Sequence, residues 1–160
     1  MRYVSVERTR GGIAVDPEAY LRRLPSLADS LPEGARRFAT DPDHYNFFGK
    51  RCVKDLKPIR LTSGDNRGSR WLELHLRHNC WKHEEDLTIR YNGVQSLTIE
   101  PAADGLDVAH LRDVMLDEVL PHELGCRHEI VCLSGSLIVT SQDLSATWLH
   151  ADCPERQPSQ

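Results

Sequence analysis

Between Arg70 and His78 the chain reads RWLELHLRH, with leucine at every second position. Leu72, Leu74 and Leu76 share one face of an extended segment; Trp71, Glu73, His75 and Arg77 share the other. Side chains alternate across a strand with a period of two, so this pattern specifies a half-buried strand. Such a strand needs partners, and the sequence from residue 51 onward supplies them.

Val53 to Leu61 reads as a strand that Pro58 confines to a sheet edge. SGDNRGS, 63–69, reads as a turn-rich loop. In DLTIRYNGVQSLTIE, Asn92-Gly93 signals a hairpin. A two-residue loop would set Leu87 against Thr98 and Ile89 against Ser96. A three-residue loop, Tyr91-Asn92-Gly93 with Gly93 left-handed in a bulge, sets Leu87 against Leu97 instead and is the register expected. The same reasoning on HEIVCLSGSLIVTS gives strands over 127–133 and 137–141 about Ser134-Gly135-Ser136, pairing Leu133 with Leu137 and Val131 with Val139. Ile130, Cys132 and Ile138 make the opposite face apolar too, which predicts central strands covered on both sides. Residues 107–120 fit both an amphipathic helix and a strand; a strand over 113–120 after a short helical turn is the reading adopted.

The N-terminal third has a different rhythm. RYVSVE, 2–7, suggests a short strand ended by Gly11-Gly12. Asp16-Pro17-Glu18 is a helix start, followed by Tyr20, Leu21, Leu24, Leu27 and Leu31 at helical spacing. Pro25 is expected to kink or restart that helix. A second helix is expected over Glu33 to Ala39, then a loop over 40–50. The resulting expectation is an α+β fold, with N-terminal helices packed on one face of an antiparallel sheet of six or seven strands. Residues 1–150 form one domain, mainly helical over 1–48 and sheet over 51–149, with a flexible tail at 151–160.

Charge is unevenly spread across the 160 residues: 1–60 carry twelve Lys/Arg against eight Asp/Glu, and 61–160 carry eight against sixteen. An acidic body repels nucleic acid and attracts a basic partner. No apolar run approaches the ~20 residues of a membrane helix, and MRYVSVERTR holds no apolar signal core. A cytoplasmic protein is expected, its five cysteines reduced, since their number is odd and no CxxC occurs. Sixteen arginines against four lysines suggest a GC-rich, bacterial gene.

Three clusters invite a chemical reading. RHNCWKHEED brings His78, Cys80 and His83 close behind His75, and imidazole nitrogens with thiolates suit zinc. The bland alternative is a polar connection between strands. HELGCRHE adds His122, Cys126 and His128, which extend the same metal reading or merely satisfy a strand end. Asp117-Glu118 would face His128-Glu129 if their strands pair across Gly125. Two carboxylates beside a histidine suit acid–base work or form a polar cross-strand ladder, and with no nucleophile or cofactor loop the ladder is preferred. GxGxxG, GxxxxGK[ST], HExxH and GxSxG are all missing. Lys50, Arg51 and Lys54 flank Cys52, whose expected role is that of a buried structural thiol.

The succession CVKDLKP, DLTIRYNGVQSLTIE, LDEVLPHE and RHEIVCLSGSLIV resembles small β-rich bacterial proteins, some classed as immunity proteins of polymorphic toxin systems. The resemblance covers about residues 50–145. It implies an intracellular protein that binds and blocks a toxin, with no cofactor and no catalytic residue. Three functions follow. The first is a protein-binding domain whose contacts include Glu84, Glu85, Asp86, Asp117, Glu118, His128 and Glu129, facing a basic toxin. The second is a zinc-binding domain or metal-dependent enzyme built on His75, His78, Cys80 and His83. The third is a structural domain that self-associates through a sheet edge. Oligomeric state is not readable from the sequence.

Overall fold

A computed structural model describes residues 1–153. The chain opens with β1 (Ser5–Thr9) and β2 (Gly12–Asp16), then α1 (Glu18–Ala28) and α2 (Glu33–Ala39). After a loop come β3 (Lys57–Asn66), β4 (Ser69–Arg77) and β5 (Glu85–Glu100). A short 3-10 turn, Ala109–Leu111, leads to β6 (Val114–His122), β7 (Gly125–Cys132) and β8 (Gly135–His150). β3 to β8 form one six-stranded antiparallel sheet in the order β3-β4-β5-β8-β7-β6, while β1 and β2 form a separate hairpin. The α+β class, the antiparallel sheet, the helix over Glu33–Ala39 and the strand over 113–120 behind a helical turn agree with the expectation.

The leucine face of β4 is buried, as its alternation requires, and continues through Leu87, Ile89 and Tyr91 of β5 into Leu137 and Val139 of β8 and Ile130 of β7. Tyr20 of α1 and Phe38 of α2 close over it, meeting β6 at Val119 and β7 at His128. The Asp143 carboxylate on β8 accepts the N–H groups of Gly34 (3.1 Å) and Ala35 (2.9 Å), satisfying donors that a helix start leaves free. Position 34 must be glycine, because a Cβ there would run into the Leu144 carbonyl.

Several expectations are overturned. Tyr91-Asn92-Gly93 is not a hairpin: β5 runs straight through it for 16 residues against an equally long β8. Gly93 does take the left-handed conformation (φ +61°), but beside an in-strand irregularity between Val94 and Ser96. The reason is the partner. Leu87, Ile89 and Tyr91 find Trp148, Ala146 and Leu144 on β8, and Leu97 and Ile99 find Val139 and Leu137. A reversal at Gly93 would forfeit one of those two sets. The loop expected over 63–69 is largely strand, turning only at Arg67-Gly68, whose positive φ angles (55° and 83°) suit a two-residue hairpin. The β7–β8 turn is also two residues long: Cys132 pairs with Gly135 and Ile130 with Leu137, rather than Leu133 with Leu137. Leu133 and Ser134 donate their N–H groups to the carbonyls of Asp113 and Leu111, which holds that turn. Gly11-Gly12 does not end a lone strand but reverses into β2, and α1 passes through Pro25 without interruption.

The reduced state expected for all five cysteines is corrected for two of them. Cys80 and Cys153 form a disulfide with Cα atoms 5.8 Å apart, across 73 residues that no local spacing could link. Cys52, Cys126 and Cys132 are free and buried. The tail expected to be flexible over 151–160 is held at its start, by that disulfide and by the Ala151 N–H on the Glu84 carbonyl (3.2 Å); its remainder, 154–160, lies outside the described residues.

Both sheet edges are blunted. On β6 the backbone of Asp55 and Leu56 bonds to Val114, the Tyr45 hydroxyl donates to the Asp117 carbonyl (2.9 Å), and the Tyr20 hydroxyl donates to the Val119 carbonyl (2.7 Å) while accepting its N–H (3.3 Å). The β3 edge carries Lys57, Pro58 and Arg60 at a register shift. Charge, proline and irregularity each obstruct strand addition. Tyr20→Phe leaves both Val119 groups without a partner in a buried setting. It is expected to lower unfolding free energy by about 1–3 kcal/mol in urea titrations at an unchanged m-value.

Candidate functional site

Successive residues of a strand point to opposite faces, and in β6 this sends Asp117 and Glu118 to two different polar networks. Asp117 is completely buried. Its carboxylate lies 2.8 Å from Nε2 of His44 and 2.9 Å from Nε2 of His128. Nδ1 of His44 faces the Phe38 carbonyl at 2.9 Å. A carbonyl and a carboxylate only accept, so both ring nitrogens of His44 donate and the ring is an imidazolium. Burial opposes that charge, but the Asp117 carboxylate and the Phe38 carbonyl outweigh it and raise the His44 pKa. Nδ1 of His128 lies in hydrogen-bond contact with the Tyr91 hydroxyl at 2.8 Å, and burial keeps that phenol protonated. Burial also works against the Asp117 carboxylate, yet the His44 charge and both histidine hydrogen bonds hold its pKa well below the usual range. The network is therefore a buried ion pair, His44 with Asp117, extended by His128 and Tyr91.

On the other face, the Glu118 carboxylate accepts three backbone N–H groups, from Arg2 (2.7 Å), Tyr3 (2.6 Å) and Val4 (2.9 Å). Glu129 pairs with the Met1 ammonium (2.7 Å) and with Arg127 (2.8 Å). Asp117, Glu118 and His128 are thus buried and engaged inside the fold, and Glu129, engaged likewise, keeps 11% of its side chain exposed. A cross-strand polar arrangement does exist, with Glu118 opposite Glu129 and Asp117 diagonal to His128, two residues from its direct partner Val119, and all four residues are buried.

The proposed zinc ligands are scattered. His75 lies on β4 between Glu73 (3.0 Å) and Thr88 (3.3 Å). His83 donates from Nε2 to the Cys52 carbonyl (2.8 Å) and accepts the Asn79 N–H at Nδ1 (3.1 Å), so neither nitrogen is available. Burial lowers its pKa, in keeping with that neutral ring. Only His78 and Cys80 stay together, and they are joined by Cys153, which the sequence reading passed over as part of the tail. His122, Cys126 and His128 do not converge: His122 accepts the Leu124 N–H at the hairpin, and Cys126 sits beside Ser141. Burial pushes the Cys126 thiol up to about 11, and Cys52 also shifts upward through burial, so its basic neighbours do not activate it.

Glu84, Glu85 and Asp86 alone remain at a surface. Lys50 donates to Glu84 (2.6 Å), Arg51 grips Glu85 in a fork (2.6 and 2.9 Å), and Asp86 receives the backbone N–H and ring of His78 (2.8 and 2.6 Å). Around this stretch stand the most exposed aromatic side chains: Phe48 at 97%, two residues before Lys50, and Trp81 at 70%, three before Glu84. Leu149, also exposed, is the cross-strand neighbour of Asp86. A cleft of about 380 Å³ opens beside them, lined by Arg37, Asp41, Arg51 and Trp148 among others. Among the described residues, no helix is long and apolar enough to cross a membrane. Comparison with protein-family models, curated proteins and solved structures returns no match.

The His44–Asp117 pair makes two predictions in one experiment. Removing one partner of a buried pair strands the other charge, so His44→Ala is expected to cost about 3–5 kcal/mol of unfolding free energy. Because the folded pKa of His44 is raised, its contribution is complete below 6.5, the ordinary histidine value, and is lost as pH rises through the folded value. Asp117, being depressed, contributes above 3.8 and loses its share as pH falls through its folded value. Melting curves across pH are expected to show an alkaline loss in the parent protein that His44→Ala lacks.

Proposed function

We propose that this chain is a protein-binding domain without catalytic activity, acting in the bacterial cytoplasm as an immunity-type inhibitor of a toxin. One observation carries this reading: Phe48, Trp81 and Leu149 have exposed side chains, the first two within three residues of the Lys50–Glu84 pair in sequence and Leu149 opposite Asp86 on the neighbouring strand. Burying large apolar side chains is favourable, and exposed aromatics ringed by polar groups mark protein contacts. The charges that would serve acid–base chemistry are instead internal, which favours a binding role over an active site. Glu84 and Glu85 are paired with Lys50 and Arg51, so attraction of a basic toxin rests on the remaining acidic charge of residues 61–160 rather than on those two alone. The blunted sheet edges weigh against self-association as the main role.

The test is coexpression with the product of the gene adjacent to its own, followed by a binding titration of the purified pair. Protection of the host and a 1:1 complex are expected, with Phe48→Ala and Trp81→Ala each weakening the complex about thirtyfold, the ~2 kcal/mol of an interface anchor. Both substitutions lie at the surface and are expected to leave the melting temperature unchanged. An interaction indifferent to both, or no protection, contradicts the proposal.

A further inference from the structure

Where β4 leaves the sheet, one ring nitrogen and two sulfurs, from His78, Cys80 and Cys153, lie within 4.8 Å of one another. This is the mixed nitrogen–sulfur donor set that Zn²⁺ takes. The histidine is already held as a metal ligand is held. Its Nδ1–H donates to Oδ1 of Asp86 at 2.6 Å, and that same oxygen accepts the His78 backbone N–H at 2.8 Å. Nε2 is thereby left as the lone-pair nitrogen, and Nε2 is the atom 3.5 Å from Cys80 Sγ. A carboxylate on the far nitrogen fixes tautomer and ring orientation at most histidine metal sites. His78 and Cys80 are buried, whereas Cys153 lines an open cleft with Glu84, His150 and Asp152. His75 and His83, the other candidates, are engaged elsewhere.

We propose that this corner is a zinc site whose capacity is set by the oxidation state of Cys80 and Cys153. In the disulfide the sulfurs are bonded to each other and are not thiolates. Two electrons and two protons from a thiol or phosphine reductant break that bond and give two thiols; a dithiol reductant leaves as its own disulfide, a phosphine, with water, as its oxide. Zn²⁺ then displaces the two thiol protons and takes Nε2 of His78 as a third donor, with its fourth position toward the cleft. Either state ties residue 153 to the turn at 78–80, in a reducing or an oxidising compartment. This inference is independent of the toxin-binding reading.

The experiment is an anaerobic Co²⁺ titration of the phosphine-reduced chain, followed by Zn²⁺ competition. Thiolate-to-cobalt charge-transfer bands saturating at one equivalent and displaced by Zn²⁺ are expected, while the disulfide form should show none. Asp86→Asn should weaken Co²⁺ binding by about 10- to 100-fold, the usual cost of losing an outer-shell partner. Cys153→Ser should reduce the charge-transfer intensity, and His78→Ala should abolish one-equivalent saturation. Reduced protein without these bands overturns the site, and so does equal binding by the disulfide form. If a variant fails to fold by circular dichroism, the reduced and oxidised forms of the parent chain still decide the question.

Discussion

The contact on which most of the molecule depends is the ion pair between His44 and Asp117. A carboxylate with no solvent contact must be met by charge and hydrogen bonds, or the cost of burying it falls on the fold. Meeting that demand fixes the loop after α2, because His44 reaches Asp117 only while its other nitrogen holds the Phe38 carbonyl at the helix end. It fixes β7 and β5 through His128 and Tyr91. Tyr45, stacked on the His44 ring with centroids 4.3 Å apart, is carried to the exposed edge of β6 and closes it. The adjacent residue, Glu118, repeats the logic on the opposite face with the N-terminal segment. A short edge strand is thus clamped from two sides by two consecutive acids.

What the sequence disclosed follows from how local each signal is. Alternating leucines in β4, the Asp16-Pro17-Glu18 start of α1 and the Gly125 reversal act over a few positions, and all could be read. The long pairing of β5 with β8 could not, because Asn-Gly is a strong turn signal taken alone and only a distant partner overrules it. The same holds for Cys80 and Cys153: their link joins residues 73 apart in sequence. Asp117 and His128 were visible as a cross-strand pair, but His44 lay in what reads as an ordinary polar loop. Its partner is 73 residues away, and no spacing announces it. That missing histidine turns a surface ladder into a buried charged core. A hint was present in residue type, since a histidine between Asp43 and Tyr45-Asn46-Phe47-Phe48 sits in a loop with three aromatics.

Sorting the polar residues by burial separates structure from function. Asp117, Glu118, His128 and Glu129 hold the sheet together and are spent in doing so. Glu84, Glu85 and Asp86 stay at the surface, paired with Lys50, Arg51 and His78, and His78 also belongs to the corner it forms with Cys80 and Cys153.

The claim that the His–Asp–His constellation is a fixed ion pair, and not an acid–base device, is tested most directly by the ¹⁵N shifts of the histidine rings. The account predicts that, as pH rises past the ordinary histidine value, His44 keeps protons on both nitrogens. A neutral His44, or a proton that moves between His44 and His128 over that range, would contradict it.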